Sequence, residues 1–226
     1  MKRIGFLSFA LVATLTAACS SDKGKALDQA KGSQPATVGT SSAADTANQD
    51  AKDFIHHVAI VNMTEIELGK VAANRSTTNE VKTFARMMID DHTASGDKLN
   101  TVASDLKIEA PGQLDDKHVD QRDKLAQLRG ADLDRDYTSA MVDGHKDLVD
   151  QLEPRIDKKT LDQWKVEMNG KTTVAGGSVA ILPDQSDNPT TMRINQFAAD
   201  IYPTVHAHLE AAKALESSLK KRPTTP

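Results

Sequence analysis

From about residue 50 to 219 apolar residues return at helical intervals almost without a break. In the first segment Phe54, Val58, Val61, Leu68 and Ala72 fall on one stripe, which Ile55, Ala59, Ile66 and Gly69 widen. Glu65 lies in the middle of that stripe, whereas Glu67 is rotated about 200° away and belongs in water. Thr77-Thr78-Asn79-Glu80 reads as a capping box that opens a second helix. Its inner face carries Val81, Phe84, Met88, Ser95, Leu99, Val102 and Leu106, with Asp91 and His92 on either flank, and Ala110-Pro111-Gly112 marks its end. A third, more polar segment holds Leu114, His118, Leu125 and Leu128 and is interrupted by Gly130. From Leu133 to Ile156 the pattern returns, with Tyr137, Met141, His145, Leu148 and Leu152 on one face. Asn188 is a natural N-cap and Pro189 a natural first residue for the last helix, which aligns Ile194, Phe197, Ile201, Val205, His208, Ala212, Leu215 and Leu219. Pro203 should kink that helix without ending it. Between Lys158 and Asp187, Asn169-Gly170 and Gly176-Gly177 divide short runs of Val, Thr, Met and Ile, which predicts a β-hairpin or irregular insertion.

Four long amphipathic helices with short connections bury their stripes most simply as an antiparallel four-helix bundle, so the fold class is all-α. Each helix then brings a polar group to the interior: Glu65, Asp91 with His92, His145, and His208. Met88-Ile89-Asp90-Asp91-His92 and Met141-Val142-Asp143-Gly144-His145 repeat one phrase, which places a methionine and a histidine on the same face of two helices. Imidazoles and carboxylates drawn from separate helices are how bundles hold transition metals, here Zn, Cu, Fe or Mn. The same groups also suit a hydrogen-bonded polar core that binds nothing. In a tight hairpin the levels of Glu65 and His92 differ by about 7 Å at 1.5 Å per residue, so one ion should not easily take both. Met88 and Met141 read as core packing; as ligands they would favour a soft ion such as Cu(I).

Other chemistries find no support. The chain has no Glu-x-x-His, the motif of ferritin-like di-iron sites, and no Cys-x-x-Cys-His, glycine-rich phosphate loop or Gly-x-Ser-x-Gly elbow. Asp90 and Asp91 diverge by about 100° on a helix and make a poor hydrolytic dyad. No catalytic residue is assigned. Trp164, His56, His57 and His118 have surface or loop positions as their default.

The chain opens with Lys2 and Arg3, an apolar run from Ile4 to Leu15, and Thr16-Ala17-Ala18 before Cys19, the single cysteine. Residues 1–18 therefore read as a secretory signal, too short to span a bilayer. Cys19 lies where bacterial lipoproteins are cleaved and acylated, although Thr16 occupies the site of the usual aliphatic residue. Ser20 after the cysteine points to an outer-membrane lipoprotein facing the periplasm, with a soluble periplasmic protein as the alternative. Residues 19–49 are rich in Ser, Thr, Ala, Gly, Lys and Asp and predict a flexible tether. Residues 50–220 form the bundle domain, with the insertion at 158–187, and 221–226 a disordered tail. Losing Lys2 and Arg3 takes the formal charge from −4 to −6, which argues against nucleic acid as a partner.

Met63 to Ala72, Val81 to His92, Leu133-Asp134-Arg135-Asp136-Tyr137 with Met141 to His145, and Tyr202-Pro203 with His208-Leu209 together resemble the bacterial domain-of-unknown-function family 4142. The resemblance implies a ferritin-like four-helix bundle. It also carries over Glu65, Asp91, His92, Tyr137, His145 and His208 as characteristic polar positions, but no reaction. Family members are typically exported or lipid-anchored. Leu133 departs from the family's usual Phe, and the 158–187 stretch looks like an insertion. Two functions follow as expectations: metal binding in the envelope, or a non-catalytic structural or stress-related module that binds an envelope protein.

Overall fold

The computed structural model describes residues 42–169 and 179–222. The signal sequence, Cys19, the tether up to residue 41, the glycine pairs of the insertion and the tail from residue 223 lie outside the described residues. The described residues are all-α: α1 (Ala43–Arg75), α2 (Asn79–Leu106), α3 (Asp116–Gln127), α4 (Gly130–Leu152), α5 (Lys158–Asn169) and α6 (Pro189–Lys220), with a 3-10 turn over Glu153–Arg155.

Local chemistry explains most helix ends. The Ser42 hydroxyl accepts from the Asp45 N–H, and the Asp45 carboxylate accepts from the Ser42 N–H. This reciprocal cap starts α1 ahead of Asp50, so residues 43–49 of the expected tether are helix. Helix α2 ends at Leu106, before the expected Ala110-Pro111-Gly112 turn. Lys107 adopts a left-handed conformation with φ 56°, and the N–H groups of Lys107 and Ile108 fold back onto the carbonyls of Ser104 and Ala103. Asn188 caps α6 as expected, its side chain accepting from the N–H groups of Thr190 and Thr191, and α6 runs through Pro203 to Lys220.

The structure departs from expectation at three further points. Thr78 precedes α2 but makes no side-chain cap; its hydroxyl donates to the buried Asp134 carboxylate of α4, a tertiary bond that takes the place of the capping box. The first half of the insertion is helix α5, not a hairpin strand. Asp157 accepts from the Thr160 N–H at 2.9 Å, and Leu161 and Trp164 then bury one face. Among the described residues the only trace of β pairing is an isolated antiparallel bridge between Ile156 and Pro183. Trp164 is therefore not a surface residue: it lies in the core, edge-on to Tyr202 and His206.

The long helices pack side by side, α1 against α2 and α4, and α6 against α4 and α2. Two apolar layers fill the space between them. One gathers Phe54, Ile55, Val58, Leu99, Leu148, Leu152, Phe197 and Tyr202; the other gathers Leu68, Val81, Phe84, Met88, Leu133, Tyr137, Met141 and Leu209. Helices α1 and α6 pass from the first layer to the second, and α2 and α4 from the second to the first. Each of the four packed pairs is thus antiparallel, and the stretch carrying α3 brings the chain back along the molecule so that α2 and α4 run the same way. That return, which runs through the third, more polar segment seen in the sequence, departs from the uniformly short connections expected of the bundle. Gly69 permits the close approach of α1 and α2, since a Cβ there would lie 3.2 Å from the Ala85 carbonyl.

Candidate metal centre

Each long helix places a polar side chain on its inner face at the level between the two apolar layers. Asn62 and Glu65 come from α1, His92 from α2, His145 from α4 and His208 from α6, all of them buried. The three imidazoles form a nearly equilateral triangle, with ring centroids 5.3, 5.4 and 5.6 Å apart. One ring nitrogen from each lies within 4.8 Å of the others.

Each ring is held by one nitrogen. The Nδ1–H of His145 donates to its own helix, onto the Met141 carbonyl at 2.9 Å. His92 Nδ1 pairs with Asn62 Oδ1 at 2.8 Å, while the Asn62 amide nitrogen donates to Ser95 Oγ at 3.4 Å, which orients the amide oxygen towards the histidine. His208 Nε2 donates to the Asp91 carboxylate at 2.8 Å. Carbonyl and carboxylate oxygens only accept, so in the neutral rings the other nitrogens carry lone pairs. Those are His92 Nε2 and His145 Nε2, which face each other at 3.4 Å, and His208 Nδ1, which is buried with no partner. Anchoring one nitrogen so that the other is aimed inward is the arrangement that outer-shell groups impose on metal-bound histidines.

The Glu65 carboxylate closes the cluster, with Oε2 2.7 Å from His92 Nε2 and Oε1 3.2 Å from His145 Nδ1. Both oxygens are buried and lie off the ring N–H directions, so neither gains a hydrogen bond of good geometry. Two facing lone pairs and a carboxylate in a dry interior repel one another unless a proton or a metal ion sits among them. Gly144 makes room for this carboxylate: a Cβ there would collide with Glu65 Oε1.

Electrostatics agree. Burial works against charge on Glu65, but His145 and then His92 outweigh it, and the carboxyl is held well below the usual carboxylate range. Burial also lowers the affinity of His145 for a proton, yet Glu65 and the Met141 carbonyl more than compensate and raise it. His208 is pushed down to about 4, first by burial and then by the charge of His145, although Asp91 pulls the other way. The Tyr137 phenol, buried without a partner beside the cluster, is pushed up by burial and by the Glu65 charge.

Of the residues singled out from sequence, Glu65, His92, His145 and His208 meet at one centre, while Asp91 is half-exposed and supports His208 from behind. The expected mismatch between Glu65 and His92 does not arise. Glu65 lies ten residues before the end of α1 and His92 thirteen after the start of α2, a height difference of about 4 to 5 Å at 1.5 Å per residue. Side chains lean towards the N-terminus of their own helix, so in this hairpin Glu65 leans away from the turn and His92 towards it, and the gap closes. Met88 and Met141 are fully buried in the apolar layer. His118 pairs with Asp115 at the start of α3, His57 with Asp147, and His56 is exposed. Asn62 went unnoticed in the sequence, although it falls three residues before Glu65 and so shares its face. Gly144 was seen only as part of the repeated phrase.

The chain is thus an all-α helical protein with a buried three-histidine cluster able to hold a metal ion. It belongs to the family described as Domain of unknown function (DUF4142), whose profile matches residues 36–165, from before α1 into α5. Glu65, His92 and His145 fall within that match, and His208 lies beyond it. No curated protein and no solved structure matches the chain.

Proposed function

We propose that this protein is a ferritin-like four-helix bundle that binds a transition-metal ion and is displayed in the bacterial cell envelope through a lipidated Cys19. The observation that carries the metal reading is the set of three buried imidazoles, each tethered by one nitrogen and turning its bare nitrogen to a common centre beside Glu65. His92 and His145 would bind through Nε2, His208 through Nδ1 and Glu65 through its carboxylate, with Asp91 and Asn62 orienting two of the rings. Such an imidazole-rich set with one carboxylate suits Zn, Cu, Fe or Mn better than Mg or Ca. Both methionines pack in the apolar layer, which leaves a thioether-bound Cu(I) without support. A ferritin-like topology is favoured by the single long return that makes α2 and α4 parallel, because one crossover distinguishes that class from up-and-down bundles.

Metal analysis of protein purified without a histidine tag tests the reading. Stoichiometric metal is expected, and melting should rise with the cognate ion, since a ligand at 100 times its Kd stabilises by about 2.7 kcal/mol. No retained metal, together with no shift on adding Zn, Cu, Fe or Mn, would overturn it. For the envelope reading, labelled palmitate should enter the wild-type protein and not Cys19→Ala, with the labelled form in the outer-membrane fraction.

A further inference from the structure

The centre is not enclosed evenly. On the α1 and α4 side Gly144 presses against Glu65, and His145 and Glu65 are 0 % and 1 % exposed. On the α2 and α6 side a cavity of about 120 Å³ has His92 and His208 in its wall, and these two retain 3 % and 4 % exposure. Asp91, Lys98, Asp200 and Thr204 also line it. Asp91 is already engaged by His208 and Asp200 accepts from Gln196, while the Lys98 ammonium lends the cleft a positive group. The space is well below the ~300 Å³ at which sites for drug-sized ligands begin, yet larger than the ~30 Å³ share of one water. Structural metal sites are fully enclosed by protein ligands, whereas sites that exchange a ligand keep one side open.

We infer that the centre keeps a coordination position facing the cleft between α2 and α6, and that this position takes a small anion or a water-sized molecule. The inference rests on the metal reading above. It makes the centre one at which an exogenous ligand of two or three atoms reaches the ion, and not a staple that only holds the helices together.

Cobalt(II) loaded into the apo protein reports both steps, because its visible bands register binding and then any change of ligand. The bands should appear in wild type and be lost in His145→Gln. Azide should then shift them saturably. Thr204→Phe and Ala94→Phe each put a ring at an exposed position lining the cleft, so they are expected to weaken the azide response severalfold while leaving cobalt uptake intact. Cobalt bands that form normally but ignore azide would overturn the open position and leave the metal reading standing, as would an azide response equal in wild type and both phenylalanine variants. Absence of cobalt bands in the wild type would overturn both.

Discussion

The same four helices build two kinds of layer. In the layer around Phe54 and Phe197, apolar side chains meet with rings edge to face at 6.1 Å, and Tyr202, the polar group there, donates to Glu153 at 2.8 Å. One layer along, the inward positions hold three imidazoles, a carboxylate and an amide, and several polar atoms lack a partner. Burying apolar surface contributes about 25 cal/mol per Å² whatever the partner. Burying ionisable groups costs free energy unless every lone pair and proton is matched. The apolar layers therefore hold the helices together, and the polar layer is carried at their expense.

The largest effect should come from the apolar side. Phe54→Ala removes the ring that packs on Phe197 and beneath the Arg155 guanidinium, and is expected to cost about 3–5 kcal/mol in urea unfolding while metal binding by the folded fraction persists. A loss of metal affinity with little loss of stability would erase the distinction between the layers.

Acid should act most strongly on the polar layer, with lesser effects where the lowered His206 and Asp50 meet the apolar layer. In the metal-free protein the proton affinity of His208 is depressed to about 4 from an ordinary 6.5, so between these values the unfolded chain binds the proton more readily. Stability should therefore be full near neutrality and fall by about 3 kcal/mol as pH drops through that window. The lowered Glu65 adds a further loss below the ordinary carboxylate range, whereas the raised His145 contributes below about 6.5 and loses that contribution as pH climbs through its raised value. Urea midpoints from pH 7 to 4 check this, and His208→Gln should flatten the acid limb.

A finer probe is Asn62→Leu, which removes the partner of His92 Nδ1 without touching any of the proposed ligands. Metal affinity measured by calorimetry should fall 10- to 100-fold, about 1.4–2.8 kcal/mol. The smallest effect belongs to a helix end remote from the centre: Asn188→Ala should cost about 1 kcal/mol of stability and leave metal affinity unchanged.

Sequence and structure agree where the signal is local. The Asn188-Pro189 start of α6 and the inner faces of α1, α2, α4 and α6 follow from caps and from a 3.6-residue period, which neighbouring residues impose on one another. Sequence and structure part where a local signal is outbid by a tertiary contact or masked by its neighbours. The capping box over residues 77–80 gave way to a bond from Thr78 to Asp134, which no inspection of those four residues reveals. Helix α5 was legible in Asp157 and in the spacing of Leu161 and Trp164, but the glycine pairs that follow drew the segment towards a hairpin. Asn62 was legible only to a reader asking what would hold His92, because an asparagine on an apolar stripe resembles an accident until its partner is known.

Sequence alone determined that these helices form, which face of each turns inward, and that a glutamate and three histidines interrupt those faces, since all of this depends on periodicity within single helices. Only the tertiary structure decided that the four groups share one level, which nitrogen of each ring is tied and which is bare, and that α2 and α6 leave a cleft beside them. Height and orientation depend on how one helix is set against another, and that setting comes from the lean of side chains, the bulk missing at Gly69 and Gly144, and the return path through α3.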